Sequence, residues 1–204
     1  MHARIIRTQI RGGKVEEAIQ LFRSDVLPAA GEQPELGTIA LLADRTTGRG
    51  LTMALWESEQ AMNAAQESGW TQQQLGRFAS MLAAAPAIET YEVSVRERPT
   101  SDAITHARVV SVRIKPDMYD EAIALYRDAV MPAARQQPGF LGAVLLTDRA
   151  TGTGLSITAW ASEAALHASD ASGYFQSQLQ QFGAMFAAPP VVETYEVAAV
   201  RLGA

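Results

Sequence analysis

Apolar and polar positions partly alternate near the start of the chain and then change to a helical spacing. The stretch ARIIRTQI at Ala3–Ile10 is rich in β-branched residues, which predicts a strand. Apolar residues then recur every three or four positions and predict a helix: Val15, Ala18, Ile19, Phe22 and Val26. Since Pro28 lacks an amide hydrogen, we expect the helix to kink or end there.

The following segments predict two strands, a second helical region and a last strand. TIALLAD and GLTMALWE read as strands joined by RTTGR, a glycine-containing hairpin loop. Ser58 is a suitable N-cap for a helix that is interrupted at Gly69 and is predicted to continue until Pro86. IETYEVSV reads as the last strand. The order is β-α-β-β-α-β, the ferredoxin-like pattern.

The whole pattern occurs twice. Shifting the chain by 104 positions aligns 2–95 with 106–199 without a gap, and about 43 of the 94 aligned positions are identical. We therefore predict an α+β protein with two tandem ferredoxin-like domains, at 1–97 and 106–204, joined by a linker at 98–105. One such sheet leaves an apolar face bare. We expect the two sheets to pack face to face as a pseudo-dimer within one chain, of the dimeric α/β-barrel type, with a homodimer as a further option.

Composition narrows the classes of function. The formal net charge is −5 and no cluster of basic residues stands out, so neither nucleic acid nor an acidic membrane surface is an expected partner. The chain has no cysteine and only three histidines, which is unfavourable for metal sites. No apolar stretch is long enough to span a bilayer, and a cytoplasmic location is the expectation.

One region of the second copy resembles a known family. QPGFLGAVLLTDRATGTGLSITAWASEAAL at Gln137–Leu166 is similar to the signature region of the antibiotic biosynthesis monooxygenase domain. The first copy keeps most of this region but has Glu35 and Leu36 where the second has glycine and phenylalanine. The resemblance covers both copies and implies the dimeric α/β-barrel fold.

The resemblance implies several activities. The family includes cofactor-free oxygenases of polyaromatic phenols and haem-degrading oxygenases. The haem-degrading branch uses an asparagine, a tryptophan and a histidine, and these positions are occupied here by Arg7, Ala65 and Leu75 and, in the second copy, by Ser111, Ser169 and Leu179. We therefore expect no cofactor and no bound metal.

Five side chains are candidates for binding a small aromatic ligand. Trp56 and Trp160 end the third strands, where they form pocket walls or simply pack the core. Arg4 and Arg108 lie in the first strands, where a buried guanidinium needs an anionic partner or a ligand. The acidic residues of the last strands are the expected partners in a plain salt-bridged strand pair. Tyr91, which lies among them, is the fifth candidate.

Three side chains are candidates for catalysis. His167 is the best general base if it faces the pocket, and an ordinary surface residue if it does not. Tyr126 has the register of the apolar stripe and should point at the sheet, where its hydroxyl needs a partner. Tyr195, like Tyr91, either stabilises a bound anion or forms part of the core.

Two readings of function stay open. The first is a cofactor-independent monooxygenase acting on a small aromatic or polyketide-like molecule, with the second copy holding the active pocket. The alternative is a non-catalytic small-molecule-binding or structural barrel protein. A deep pocket with converging arginine, tyrosine and histidine favours the enzyme, and an apolar pocket without a base favours a binding protein.

Overall fold

The computed structural model describes residues 1–99, 101 and 103–203, and it has an α+β fold. Each copy contains the predicted β-α-β-β-α-β order, with each helical region divided in two. The strands are β1 (His2–Gln9), β2 (Leu36–Ala43), β3 (Arg49–Trp56), β4 (Ala87–Glu97), β5 (His106–Ile114), β6 (Phe140–Asp148), β7 (Thr153–Trp160) and β8 (Phe186–Arg201). The α-helices are α1 (Val15–Leu21), α2 (Leu27–Gly31), α3 (Glu59–Glu67), α4 (Trp70–Gly76), α5 (Tyr119–Leu125), α6 (Met131–Arg135), α7 (Glu163–Ala171) and α8 (Tyr174–Gln181).

The chain forms two compact units whose limits fall inside strands. The first unit consists of Met1–Glu92 and the chain end from Val197, and the second unit consists of Val93–Glu196. Strand β4 therefore begins in the first unit and ends in the second, and β8 does the reverse. The division at 97 and 106 remains a prediction about the duplicated sequence, and so does the packing of sheet against sheet.

The two units have antiparallel sheets of the same strand order. In the first unit β1 pairs with β3 and β4, β2 pairs with β3, and the end of β8 extends the sheet beyond β2. In the second unit β5 takes the place of β1 and pairs with β7 and β8. Every second residue of β1 and β5, starting with Arg4 and Arg108, faces the helices, because side chains alternate between the two faces of a strand.

The helix before Pro28 neither ends nor breaks. A turn of π-helix, Phe22–Val26, connects α1 to α2, and the amide of Leu27 donates to the carbonyl of Phe22 five residues earlier. The second copy repeats this turn at Tyr126–Val130, ahead of Pro132. The extra residue of a π turn accommodates the proline inside a continuous helical path.

The prediction that the helix after Gly69 runs to Pro86 is wrong. Helix α4 ends at Gly76, and the chain continues in three-residue turns up to Leu82. Met81, within these turns, is nevertheless buried. The N-cap prediction is confirmed, because the Ser58 hydroxyl accepts a hydrogen bond from the amide of Ala61.

The turn ahead of the second strand differs between the copies. Gly139 has φ +78°, and a Cβ at this position would lie 2.5 Å from the Cβ of Ala165. Its counterpart Glu35 has φ +57°, in the left-handed region that non-glycine residues rarely adopt. The Ser58 hydroxyl donates to the Glu35 carboxylate over 2.6 Å and holds that side chain at the start of α3.

Candidate functional site

Each unit contains a pocket between its own sheet and its own helices. The pocket of the second unit encloses about 910 Å³ of empty space, measured out to its mouth, and the pocket of the first unit about 820 Å³. Corresponding positions of the duplicated sequence line the two pockets, so the differences between them come from single substitutions.

The second pocket holds an internally neutralised arginine. Arg108 is only 2% exposed, and its Nη2 lies 2.6 Å from Asp170 Oδ1 and 2.8 Å from Ser169 Oγ. Its guanidinium carbon lies 5.2 Å from the ring centre of Trp160 and 4.2 Å from that of Phe175. Burial lowers the pKa of Arg108, and the Asp170 carboxylate partly opposes this. The cation is therefore held by a carboxylate and two aromatic rings.

The first pocket repeats the frame without the carboxylate. Arg4 Nη1 donates to the Thr71 hydroxyl over 2.7 Å, Nη2 donates to the carbonyl of Met62 over 3.1 Å, and the guanidinium lies over Trp56 at 5.3 Å. Gln66 stands where the second copy has Asp170. Burial lowers the pKa of Arg4, and no acidic group offsets this. In the described part of the chain, the partners of this guanidinium are all neutral.

Tyr126 points at the sheet, as predicted. Its hydroxyl lies 2.8 Å from the Ser156 hydroxyl on β7. The partner that the buried hydroxyl needs is therefore supplied by the sheet itself. Burial raises the pKa of Tyr126 to about 12, although its hydrogen bond with Ser156 acts in the opposite direction. Burial also raises the pKa of Tyr174, which lines the same pocket, to about 12. Both phenols stay protonated at neutral pH and can donate hydrogen bonds.

Both tryptophans end their strands, as predicted, and both line a pocket with about 1% of their surface exposed. The indole of Trp160 donates to the Thr158 hydroxyl over 3.0 Å. The indole of Trp56 has no such partner within the described residues, since Ala54 replaces the threonine. Each tryptophan thus forms part of a pocket wall and also packs in the buried core.

The structure does not bring Tyr91 and Tyr195 to the pockets. Tyr91 pairs with Ala3 and Tyr195 with Ala107, on the sheet face opposite to the arginines. Their hydroxyls donate to glutamates two residues earlier on the same strand, over 2.9 and 3.1 Å. His167 is also outside: it is largely exposed on α7, with Nε2 3.6 Å from Glu163 Oε1.

The expectation that strand carboxylates would hold the two arginines is wrong. The contacts of Arg4 and Arg108 come from the helices behind the sheet, at residues missed by the sequence analysis: Met62, Thr71, Leu166, Ser169 and Asp170. One signal could have found Asp170. It is an acidic residue four positions after the buried Leu166 and next to the buried Ser169, where the first copy has an uncharged amide.

The described residues contain no group of three or more histidine and acidic side chains arranged to hold a metal ion. Among the same residues, every helix is too short or too polar to cross a bilayer.

Comparison with known proteins agrees with the resemblance. An uncharacterized protein of Mycobacterium tuberculosis H37Rv is 29% identical over 157 residues, which cover 76% of this chain and 69% of that protein. The fold is similar to that of a proposed monooxygenase of Fusobacterium nucleatum, with a TM-score of 0.80 and 13% identity over 98% of this chain and 94% of the other.

Two other solved structures share the fold at low identity. An anthrone oxidase-like protein has a TM-score of 0.72 and 14% identity, over 98% of this chain and 92% of that one. The haem-degrading enzyme LmHde of Listeria monocytogenes has a TM-score of 0.56 and 12% identity, over 96% and 99% of the two chains. Residues 105–180 match the family model described as antibiotic biosynthesis monooxygenase. The second copy is thus similar to the antibiotic biosynthesis monooxygenase domain over residues 105–180.

Proposed function

We propose that the chain is a cofactor-independent monooxygenase that oxidises a small aromatic or polyketide-like molecule in the pocket of the second unit. The observation that carries the proposal is the ring-lined pocket with hydroxyl groups on its sheet side. Seven aromatic side chains line it: Tyr119, Tyr126, Trp160, Tyr174, Phe175, Phe182 and Phe186. The flat ring faces of this lining suit a fused-ring ligand.

The substrate class follows from what the pocket can stabilise. Tyr126 and Tyr174 keep their protons at neutral pH, because burial raises the pKa of each to about 12. Such phenols donate hydrogen bonds to a substrate oxygen that carries developing negative charge. A hydroxylated aromatic ketone provides such an oxygen and has an acidic carbon next to its rings. The name of the anthrone oxidase-like neighbour points to the same substrate class.

The overall step is the conversion of a ring methylene and O₂ into a ring carbonyl and water. The methylene loses a proton, the resulting carbanion reduces O₂ to a carbon-bound hydroperoxide, and loss of water leaves the carbonyl. No carboxylate or imidazole is among the pocket-lining residues described, so the acidity of the substrate itself supplies the anion. Tyr126, hydrogen-bonded to Ser156, is the side chain best placed to stabilise it.

The test is oxygen uptake by the purified chain with anthrone as the probe. We expect one O₂ consumed and one anthraquinone formed per anthrone, faster than in buffer alone. Replacing the donor with Tyr126→Phe should slow turnover by about a hundredfold, the usual cost of losing a transition-state donor. Phe22→Tyr is the matched control in the first unit and should leave turnover unchanged.

One observation favours the alternative of a non-catalytic binding protein. His167, the candidate base, lies on the surface, and no other base lines the pocket within the described residues. Anthraquinone is a stable product analogue that separates the two functions. If anthraquinone binds saturably but anthrone causes no oxygen uptake above the buffer rate, the chain is a binding protein and not a monooxygenase.

A further inference from the structure

The pocket of the first unit contains a buried cation without a counter-charge. Arg4 is 3% exposed and makes its two hydrogen bonds to a hydroxyl and a carbonyl, both uncharged. A guanidinium removed from water needs an anion, because neutral partners repay only part of its lost hydration. We infer that this pocket binds a molecule with an apolar body and a carboxylate head, which supplies the missing charge to Arg4. This inference concerns the other unit and does not rest on the proposed function.

The second unit provides the internal reference for this reading. There the equivalent guanidinium has Asp170 at 2.6 Å, so its charge is already balanced within the protein. In the first unit the aligned position is Gln66, which cannot supply a charge. Both cations keep a tryptophan beneath them, although Thr71 stands where the second copy has Phe175. The absence of one carboxylate therefore distinguishes the first pocket as the one suited to an anion.

Unpaired polar groups gather at the same place. Among the described residues, five buried polar atoms lack a hydrogen-bond partner, and two of them, His2 Nδ1 and Arg108 Nε, lie outside the first pocket. The other three are the donors Arg4 Nε and Trp56 Nε1 and the acceptor Gln74 Oε1. All three side chains line the first pocket, and each is less than a tenth exposed. Buried polar groups are normally satisfied, so a cluster of unsatisfied ones is evidence for a missing partner. A carboxylate accepts from two donors and therefore suits the arginine and the indole, whereas the oxygen of Gln74 needs a donor elsewhere on the ligand.

The rest of the lining describes the body of the ligand. Ile6, Phe22, Val26, Ile39 and Phe78 surround the cavity with apolar surface. The second cation of the lining, Arg49, has its own carboxylate partner, Asp44, at 3.3 Å. With a single uncompensated positive charge, the pocket suits a monoanion rather than a phosphate dianion, whose second charge would be buried unpaired. Aromatic and aliphatic carboxylates both fit this chemistry.

Calorimetric titration with four probes tests the inference on the full chain. The probes are 2-naphthoate and decanoate, with 2-naphthamide and decanamide as their uncharged counterparts. We expect one carboxylate to bind per chain, about tenfold or more tighter than the matching amide, since a charge-assisted hydrogen bond contributes that much. A preference for the naphthyl or the decyl pair identifies the source of the carboxylate. Equal affinity for acid and amide, or no saturable carboxylate binding below about 1 mM, would overturn the inference.

A matched pair of variants locates the site. Gln66→Asp introduces the carboxylate that the second unit has, and should weaken carboxylate binding by about tenfold while leaving amide binding within about twofold. Asn63→Asp adds the same charge to the same helix at an exposed position and should change neither. Carboxylate binding that is insensitive to Gln66→Asp, or equally sensitive to Asn63→Asp, contradicts a site at Arg4. Arg4→Met supplements these variants if it folds, and should abolish the preference for the acid.

Discussion

The two pockets share an arginine, a tryptophan and a strand register, yet the positive charge is balanced in only one of them. Arg108 is balanced by Asp170, and Arg4 has only uncharged partners in the described residues. The difference comes from one position on the helix behind the sheet, 66 or 170, and not from the strand that carries the cation. A duplicated frame can thus change the charge of its ligand through a single helical residue, while the arginine and the tryptophan beneath it stay the same.

The turn ahead of the second strand should give the largest difference between the copies. Gly139→Ala places a Cβ 2.5 Å from that of Ala165 and forces alanine into a left-handed conformation. We expect it to lower the free energy of unfolding by about 3 kcal/mol. Glu35→Gly, the reciprocal change, relieves the strain and loses one hydrogen bond to Ser58, for a net effect within about 1 kcal/mol. Urea unfolding measures both, and equal midpoints for the two variants would contradict this account.

The charge difference between the pockets should be visible in stability without any ligand. Asp170→Asn leaves the buried Arg108 without an anion, and we expect a loss of about 2 kcal/mol, less than for a fully buried pair because Asp170 is partly exposed. Gln66→Asn is the control at the aligned position and should cost less than about 0.5 kcal/mol. Thermal unfolding at neutral pH compares the two, and a loss of similar size in both would mean that the carboxylate does not balance Arg108.

Alkaline pH should act on the second pocket through Tyr126. Because burial raises its pKa to about 12, the neutral phenol stabilises the folded state fully below pH 10, and this contribution is lost as the pH rises through 12. The loss reaches about 1.4 kcal/mol by pH 11. Tyr126→Phe should remove this part of the pH dependence, as followed by urea unfolding between pH 8 and pH 11. Phe22→Tyr should add a comparable slope in the first unit.

The smallest expected difference lies in the two hairpins. Hydrogen bonds from the side chain and then the amide of Thr47 hold the pKa of Asp44 at about 2, with Arg49 adding to them. A depressed pKa stabilises the fold above pH 4, and the contribution of about 1 kcal/mol is lost as the pH falls through 2. In the second copy, a hydrogen bond from Thr151 lowers the pKa of Asp148, and Thr153 occupies the position of Arg49. Asp44→Asn should therefore reduce the dependence of unfolding free energy on pH between 4 and 2 more than Asp148→Asn does. The reverse order would exclude a contribution from Arg49.

The order of strands and helices along the chain was predictable from sequence, because alternation, helical spacing and the 104-residue shift all agree. The register of Tyr126 was predictable for the same reason, since the apolar stripe of a helix sets the direction of its side chains. The partners of the arginines were not predictable in this way. Asp170 is 62 positions from Arg108 in sequence, and only the packing of helix on sheet brings them together. The end of α4 at Gly76 also escaped prediction, because tight turns keep Met81 buried much as a continued helix would.

The placement of the strand ends has a consequence for how such a gene can be divided. Val95 packs in the core around Tyr126 and Met131, whereas Ala199 packs in the core around Phe22 and Trp56. A chain that stopped after the first repeat would therefore carry a strand end whose core is encoded by the second, and would lack one that its own core requires. The segment that was copied and the segment that folds are different, and two complete cores require a chain that carries both copies.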